Sequence, residues 1–218
     1  ADGRAVNVDL SRDDGDDTTN DEKEVQLITT DGSGVVTGTD NTKFDNLEGI
    51  ENVVGTQNND IIKGSDDTNE VNTLDGDKGD DTFYSSLGTD SFIGGEGTDT
   101  LDFRGADGAD GRINVDLSQD ATLKEDGAGN LELDADGNPI KVDYIADDIE
   151  VIIGSKSGDI IKGDGNTNTL HGDEGADILY AVGGEGNKLY GEEGNDTLYS
   201  GSGNDTLDGG DDDDTIYF

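Results

Sequence analysis

The chain has 218 residues, with 54 Asp and Glu against 13 Lys and Arg, for a net charge of −41. That balance disfavours a nucleic-acid partner, since phosphate contacts need basic side chains. The absence of cysteine excludes disulfides and thiolate metal sites, and no apolar run approaches the roughly 18 residues of a membrane helix.

In chain order, Val6–Ser11 (VNVDLS) reads as a strand, 13–24 as a polar mobile loop, and 25–30 and 35–37 as strands. A second apolar strand, Ile50–Val54, leads into a nine-residue period that runs from Gly55 to Asp102. The period breaks near Phe103–Gly111, and the arrangement then repeats. Ile113–Ser118 (INVDLS) matches the first strand, and Ile149–Gly163 matches Ile50–Gly64. Between them, 131–144 alternates around Asp136, Gly137, Asn138 and Pro139, the signal of a β-hairpin. A second nine-residue series runs from Gly154 to Tyr217. The domains expected are therefore 1–102, with repeats over about 55–102, and 103–218, with repeats over about 154–217.

The period reads G-x-x-G-x-D-x-U-x, with U apolar. The eighth position is Ile62, Leu74, Phe83, Phe92 and Leu101, then Ile161, Leu170, Leu179, Leu189, Leu198, Leu207 and Ile216. The sixth is Asp60, Asn72, Asp81, Asp90 and Asp99, then Asp159, Asn168, Asp177, Asn187, Asp196, Asp205 and Asp214. Nine residues suit a turn of about six and a strand of about three, and glycine supplies the positive φ angles a tight turn needs. One residue of each short strand points inward, so stacked strands build an internal ladder of Leu, Ile and Phe. No single repeat can bury its apolar residue alone.

Each turn presents a carboxylate and free backbone carbonyls, hard oxygen ligands suited to Ca²⁺. If successive strands alternate between two sheets, turns two repeats apart share an edge. That pairs Asp81 with Asp99, Asp159 with Asp177 and Asp196 with Asp214, each 18 residues apart, and Asp177 with Asp196, 19 apart. The acids are 41 Asp and 13 Glu, the bias of turns and metal loops rather than of an acidic helix. At −41 the metal-free chain repels itself, and Leu, Ile, Val and Phe supply only 47 residues, near the level of disorder. Metal binding is therefore expected to be coupled to folding.

These repeats resemble the calcium-binding nonapeptides of RTX proteins, the bacterial haemolysin-type toxins, proteases, epimerase modules and giant adhesins. The resemblance covers roughly half the chain. It implies an all-β, right-handed parallel β-roll, a β-solenoid in which the Asp side chains and carbonyls of two stacked turns share each calcium. The metal ligands implied are Asp60, Asp81, Asp90, Asp99, Asp159, Asp177, Asp196, Asp205 and Asp214. The turns add Asp77, Gly79, Gly94, Glu96, Gly172, Asp173, Glu174, Gly175, Gly191, Glu192, Glu193, Gly194, Gly209 and Asp211. Roughly four to eight ions follow if each needs two aligned turns. Calcium is expected to be weak or absent where Asn72, Asn168 and Asn187 replace Asp.

Other sites fail on inspection. Asp134, Asp136 and Asn138 hint at an EF-hand, but Pro139 stands where that loop needs Gly. His171 is the sole histidine, at an exterior ninth position, and a Ser-His-Asp triad has no partner set. Lys63 and Lys162 read as solvated ninth positions. With no catalytic constellation, the chain is expected not to be an enzyme.

The family resemblance implies a secreted or cell-surface bacterial location, export through a type I channel and calcium-driven folding outside the cell. The absence of Met reads as a piece of something larger, with neighbouring domains as partners. The duplicated connecting strands favour a structural module of a large adhesin, monomeric, with a surface ligand or polysaccharide beyond it. The alternative is an accessory module of a secreted epimerase, protease or lipase. An ice-binding face is a third reading, disfavoured by the irregular Thr56, Thr89 and Thr98.

Overall fold

A computed structural model of the chain describes residues 7–9, 23–30, 36–47, 52–64, 71–85, 89–105, 112–123 and 141–218. Its strands in the first half are β1 (Asn7–Asp9), β2 (Lys23–Thr30), β3 (Val36–Leu47), β4 (Asn52–Val54), β5 (Ile61–Lys63), β6 (Thr73–Asp75), β7 (Thr82–Tyr84), β8 (Ser91–Ile93) and β9 (Thr100–Asp102). In the second half they are β10 (Asn114–Asp116), β11 (Ala121–Leu123), β12 (Lys141–Ile145), β13 (Val151–Ile153), β14 (Ile160–Lys162), β15 (Thr169–Glu174), β16 (Ile178–Tyr180), β17 (Lys188–Glu193), β18 (Thr197–Tyr199), β19 (Thr206–Asp211) and β20 (Thr215–Tyr217).

Successive repeat strands alternate between two ten-stranded sheets, as the 18-residue spacing predicts. Sheet 1 runs β3-β2-β1-β5-β7-β9-β13-β15-β17-β19, and sheet 2 runs β4-β6-β8-β12-β11-β10-β14-β16-β18-β20. Repeat strands pair in parallel, with the apolar residue always in register. In sheet 1 the ladder is Val8, Ile62, Phe83, Leu101, Ile152, Leu170, Leu189 and Leu207. In sheet 2 it is Val53, Leu74, Phe92 and Ile145, then Val115, Ile161, Leu179, Leu198 and Ile216. The architecture is thus an all-β parallel solenoid, with the thin internal core that so low a hydrophobic content permits.

Ten of the twelve eighth-position residues are at most 1% exposed. Leu207 is only partly buried and Ile216 is 36% exposed, because they lie on the two terminal strands of the stack. Asn7–Asp9 and Asn114–Asp116, the shared NVD of the two matching segments, form β1 and β10 and add to the stack alongside β5 and β14. The junction between halves is asymmetric. In sheet 1, β9 pairs directly with β13, whereas sheet 2 inserts β12, β11 and β10 between β8 and β14.

Two local expectations change. Strand β2 starts at Lys23, inside the stretch read as a loop, and β3 spans Val36–Leu47 rather than 35–37. The two form an antiparallel pair from Lys23↔Leu47 to Thr30↔Val36, and this ladder satisfies polar backbone that composition alone marks as loop. Residues 13–22, and the hairpin turn and rejected EF-hand at 131–140, lie outside the described residues.

Candidate metal centre

The regular turns, such as those starting at Gly76, Gly172 and Gly191, are shaped by two glycines with different physical roles. At the fourth position Gly194 has φ 137°, a conformation L side chains rarely adopt. At the first position Gly191 is required by space: a Cβ there would collide with Oδ2 of Asp196 and the Gly209 carbonyl of the next rung. The second position is left-handed even without glycine, at Asp77 (φ 68°), Asp173 (75°) and Glu192 (78°). The backbone therefore folds tightly back on itself in these rungs.

The sixth residues form columns along the turn edges. In each, the carboxylate of one rung accepts the backbone N–H of the sixth residue one rung back. Asp60 N–H donates to Asp81 Oδ1 at 2.7 Å and Asp81 N–H to Asp99 Oδ1 at 2.7 Å. On the other edge Asp159 donates to Asp177 (2.6 Å), Asp177 to Asp196 (2.8 Å) and Asp196 to Asp214 (3.0 Å). Asn72 donates to Asp90 at 2.9 Å, and Asn187 to Asp205 at 3.0 Å. Every pair expected from the spacing is brought together.

This uses Oδ1. The second oxygen, Oδ2, points into the turn, and for Asp81, Asp99, Asp177, Asp196 and Asp205 it is buried with no hydrogen-bond partner. Buried oxygens of this kind are costly unless something satisfies them. Around Gly76, Gly172 and Gly191 this oxygen and the first-position carbonyl of the next rung converge on one space, from Asp81 with Gly94, Asp177 with Gly191, and Asp196 with Gly209. Among the described residues no three His, Asp or Glu side chains gather at one point. A cation here must therefore draw on main-chain carbonyls as well as carboxylates, a hard-oxygen set of the kind Ca²⁺ accepts.

The electrostatics agree. Burial, the largest cause, pushes Asp81 and Asp177 up to about 7 and Asp99 and Asp159 up to about 6, with neighbouring carboxylates reinforcing it at Asp81, Asp99 and Asp177. Asp196 is raised for the same first reason. Without a counter-ion these turns resist ionisation; a bound cation reverses that preference.

The sixth positions are not equivalent. Asp60 Oδ2 accepts the Thr56 N–H at 2.5 Å, and Asp159 Oδ2 accepts the Ser155 N–H at 2.6 Å, so the first turn of each series is closed by hydrogen bonds. At Asn187 the amide Nδ2 donates to the Gly183 carbonyl at 2.5 Å, filling the space with a neutral donor. Asn168 Nδ2 is likewise buried, a donor where Asp has an acceptor.

The remaining turn residues sit at the rim. Glu96, Glu174 and Glu192 direct their carboxylates sideways, to Lys78, to Lys156 (2.5 Å) and to His171 Nδ1 (2.7 Å). Their contribution to the turn is through the main chain: the Asp77 carbonyl accepts from Glu96 (2.9 Å), the Glu96 carbonyl from Gly79 (2.9 Å), the Glu193 carbonyl from Gly175 (2.8 Å) and the Asp211 carbonyl from Gly194 (3.4 Å). His171 is exterior, as expected, and stacks on Tyr190 with centroids 4.8 Å apart. Lys162 is more than a solvated ninth position: it pairs with Asp116 of β10 at 3.1 Å.

Three residues extend the columns without belonging to a nonapeptide. Glu150 Oε2 accepts the Asp99 N–H (2.9 Å), Asp143 Oδ1 accepts the Asp90 N–H (2.9 Å), and the Asp148 carboxylate accepts from Gly94 (3.0 Å) and Gly95 (2.9 Å). A signal for two of them existed. Glu150 precedes Ile152, and Asp143 precedes Ile145, by the same two residues that separate Asp99 from Leu101.

A family model described as the RTX calcium-binding nonapeptide repeat matches the chain in four copies, over residues 46–72, 66–101, 144–179 and 182–217. Comparison with curated proteins gives no match.

Proposed function

This chain belongs to the RTX calcium-binding nonapeptide-repeat family, and on that premise we propose that it is a calcium-folded structural module of a large type I-secreted adhesin. Proteins of the family bind several calcium ions per repeat region, and the coarse role, a calcium-binding structural module of secreted bacterial proteins, follows from membership. The ligands proposed are the carboxylates of Asp81, Asp90, Asp99, Asp177, Asp196, Asp205 and Asp214, with the turn carbonyls beside them. Asp60 and Asp159 act mainly by closing the first turns.

The observation that carries this reading is the row of buried, unpartnered Oδ2 atoms facing carbonyls of the next rung. Calcium supplies the missing positive charge there; Gly191 and its equivalents let the carboxylate and the next carbonyl come close together, and the Asp column holds the rungs in register. Each nine-residue repeat buries a single large apolar side chain, and its turn adds a buried carboxylate that repels its neighbours until a cation is bound. The rungs therefore need the ion to stack. Calcium is scarce inside the cell and abundant outside, so folding follows export. The two halves, 1–102 and 103–218, act as successive lengths of one stiff spacer.

Small-angle scattering with chelator and with millimolar calcium tests this. The expected radius of gyration without calcium approaches the roughly 50 Å of an unfolded chain of this length and falls by more than half with calcium. A compact particle in both conditions contradicts folding on export.

One observation favours a second reading, as an accessory module of a secreted enzyme. On the outer face of sheet 2, Tyr180, Tyr199 and Tyr217 stack in a row, with centroids 4.6 and 4.8 Å apart and rings within 8° of parallel. Because the rings stack face on face, what the row offers a polysaccharide is a regularly spaced series of ring edges and hydroxyl hydrogen-bonding groups. Retention on immobilised alginate only in calcium supports it; no retention removes it.

A further inference from the structure

We propose that the two ends of the solenoid are complementary, so that one copy of this chain docks head to tail on a second, β19 and β20 of the first pairing with β3 and β4 of the next. The inference goes beyond the calcium reading above and rests on it only for the folded roll.

The internal duplication supplies the template. In the second half, β10 pairs in parallel with β14 and antiparallel with β11, and β11 pairs antiparallel with β12. In the first half β1 does the same with β5 and β2, and β2 with β3. Strands β4 and β13 correspond as well, since Ile50–Gly55 matches Ile149–Gly154. The second-half unit sits on a finished roll. There β12 pairs in parallel with β8, setting Ile145 beside Phe92, and β13 pairs with β9, setting Ile152 beside Leu101. The equivalent strands of the first half, β3 and β4, are the outer edges of sheet 1 and sheet 2, with no strand beyond them among the described residues. Such an edge is ready to pair with another strand.

The opposite edges of the same two sheets are β19 and β20, and they stand in the order this template needs. At the internal junction the last strand of the roll, β9, meets β13, and the one before it, β8, meets β12. Likewise the last strand, β20, shares a sheet with β4, and β19 shares one with β3. Strand β3 runs antiparallel to β2 and so in the direction of β1, β5 and the whole repeat ladder, which makes the pairing parallel and the docking a head-to-tail translation. The residues match too. Val53 and Val54 stand where Ile152 and Ile153 do, and Ile216 and Tyr217 where Leu101 and Asp102 do. Leu101 is fully buried beside Ile152, whereas Ile216 is 36% and Val54 66% exposed. Docking covers this apolar surface. The acceptors recur in the sequence. Asp143 and Glu150 take the N–H groups of Asp90 and Asp99. Asp45 and Glu51 precede Leu47 and Val53 by two residues, as Asp143 and Glu150 precede Ile145 and Ile152, and Asp205 and Asp214 hold the sixth positions of the rungs they would meet.

The chain has no cysteine, so single thiols report the geometry. Val54→Cys and Tyr217→Cys, at positions 66% and 51% exposed, are mixed as full-length proteins in calcium and a glutathione redox buffer. Salt at about 0.15 M screens the repulsion between two chains of charge −41. In-register residues of neighbouring strands lie about 5 Å apart, within reach of a disulfide. The expected result is a disulfide-linked pair of the two variants in the mixture and little linkage in either variant alone. No linked pair in the mixture, or equal linkage in each variant alone, overturns head-to-tail docking. If a thiol variant does not fold in calcium, sedimentation equilibrium at rising concentration decides. A mass that climbs above the monomer in the wild type but not in Val54→Asp supports the docking, and any other pattern overturns it. Folded, calcium-bound chains that stay apart overturn the docking alone, whereas a wild-type chain that takes up no calcium overturns the calcium reading as well.

Discussion

Asp177 and Asp196 stand one rung apart on the same edge, and the backbone N–H of Asp177 donates to Oδ1 of Asp196 at 2.8 Å while Oδ2 of each stays buried without a partner. One carboxylate thus performs two tasks. It holds the neighbouring rung in register and leaves an oxygen for a cation. Asp196→Ala removes both, leaves the Asp177 N–H unsatisfied and affects the turns on either side. We expect at least one calcium ion to be lost, and a cost of about 2 kcal/mol from the buried N–H alone. At this chain length that lowers the Tm in saturating calcium by roughly 4–8 °C. An unchanged Tm contradicts the assigned register.

The metal-free and calcium-loaded forms are expected to respond to pH in opposite senses. Burial raises Asp81 and Asp177 to about 7 and Asp99, Asp143 and Asp159 to about 6 in the folded roll, against about 4 in an unfolded chain. Between these values the folded state holds more protons than the unfolded state, so metal-free stability is present near pH 4 and is lost as pH rises to 7. In calcium, protons compete with the ion, so affinity falls as pH drops through the same window. Circular dichroism against pH, with chelator and with calcium, checks both slopes. Parallel slopes would sink the idea.

Asn187→Asp tests why some rungs carry an amide. The Asn187 Nδ2 donates to the Gly183 carbonyl at 2.5 Å and to Asp205 Oδ1 at 3.2 Å. An aspartate places an acceptor against these acceptors. We expect a loss of roughly 1–3 kcal/mol without calcium and one additional bound ion with it, counted by native mass spectrometry. No gain of an ion would show that the turn lacks the remaining ligands.

The turn conformation makes a paired prediction. Gly194→Ala places a methyl group against the Gly175 carbonyl at a φ of 137° and is expected to be strongly destabilising. Asp77→Gly, at a φ of 68° where a side chain is strained, is expected to stabilise by up to about 1 kcal/mol. Thermal unfolding in calcium measures both, and a stabilised alanine variant would contradict the turn geometry.

Much of this was legible in the residues because a nine-residue period leaves few ways to stack. The burial of Leu170, Leu179 and Leu198 and the pairing of Asp159 with Asp177 follow from one apolar and one acidic residue at fixed places. Asp143 and Glu150 were missed because they reach the Asp90 and Asp99 rungs only after an excursion of about fifty residues, which a local period cannot reveal. Asp60 and Asp159 look like other sixth positions, yet the second-position Thr56 and Ser155 change their turns, a distinction carried by one neighbouring residue. The long β2–β3 ladder depends on partner strands, and a polar sequence gives little hint of it.

The central claim is that calcium in the turns makes this chain fold. Far-UV circular dichroism of the chelator-treated protein at pH 7 or above, titrated with Ca²⁺ and in parallel with Mg²⁺, tests it most directly. The account expects a disordered spectrum that turns to β over a cooperative calcium transition and does not do so with magnesium. A β spectrum already present in chelator, and unchanged by calcium, would mean that the roll stands on its apolar ladder alone and would contradict the account.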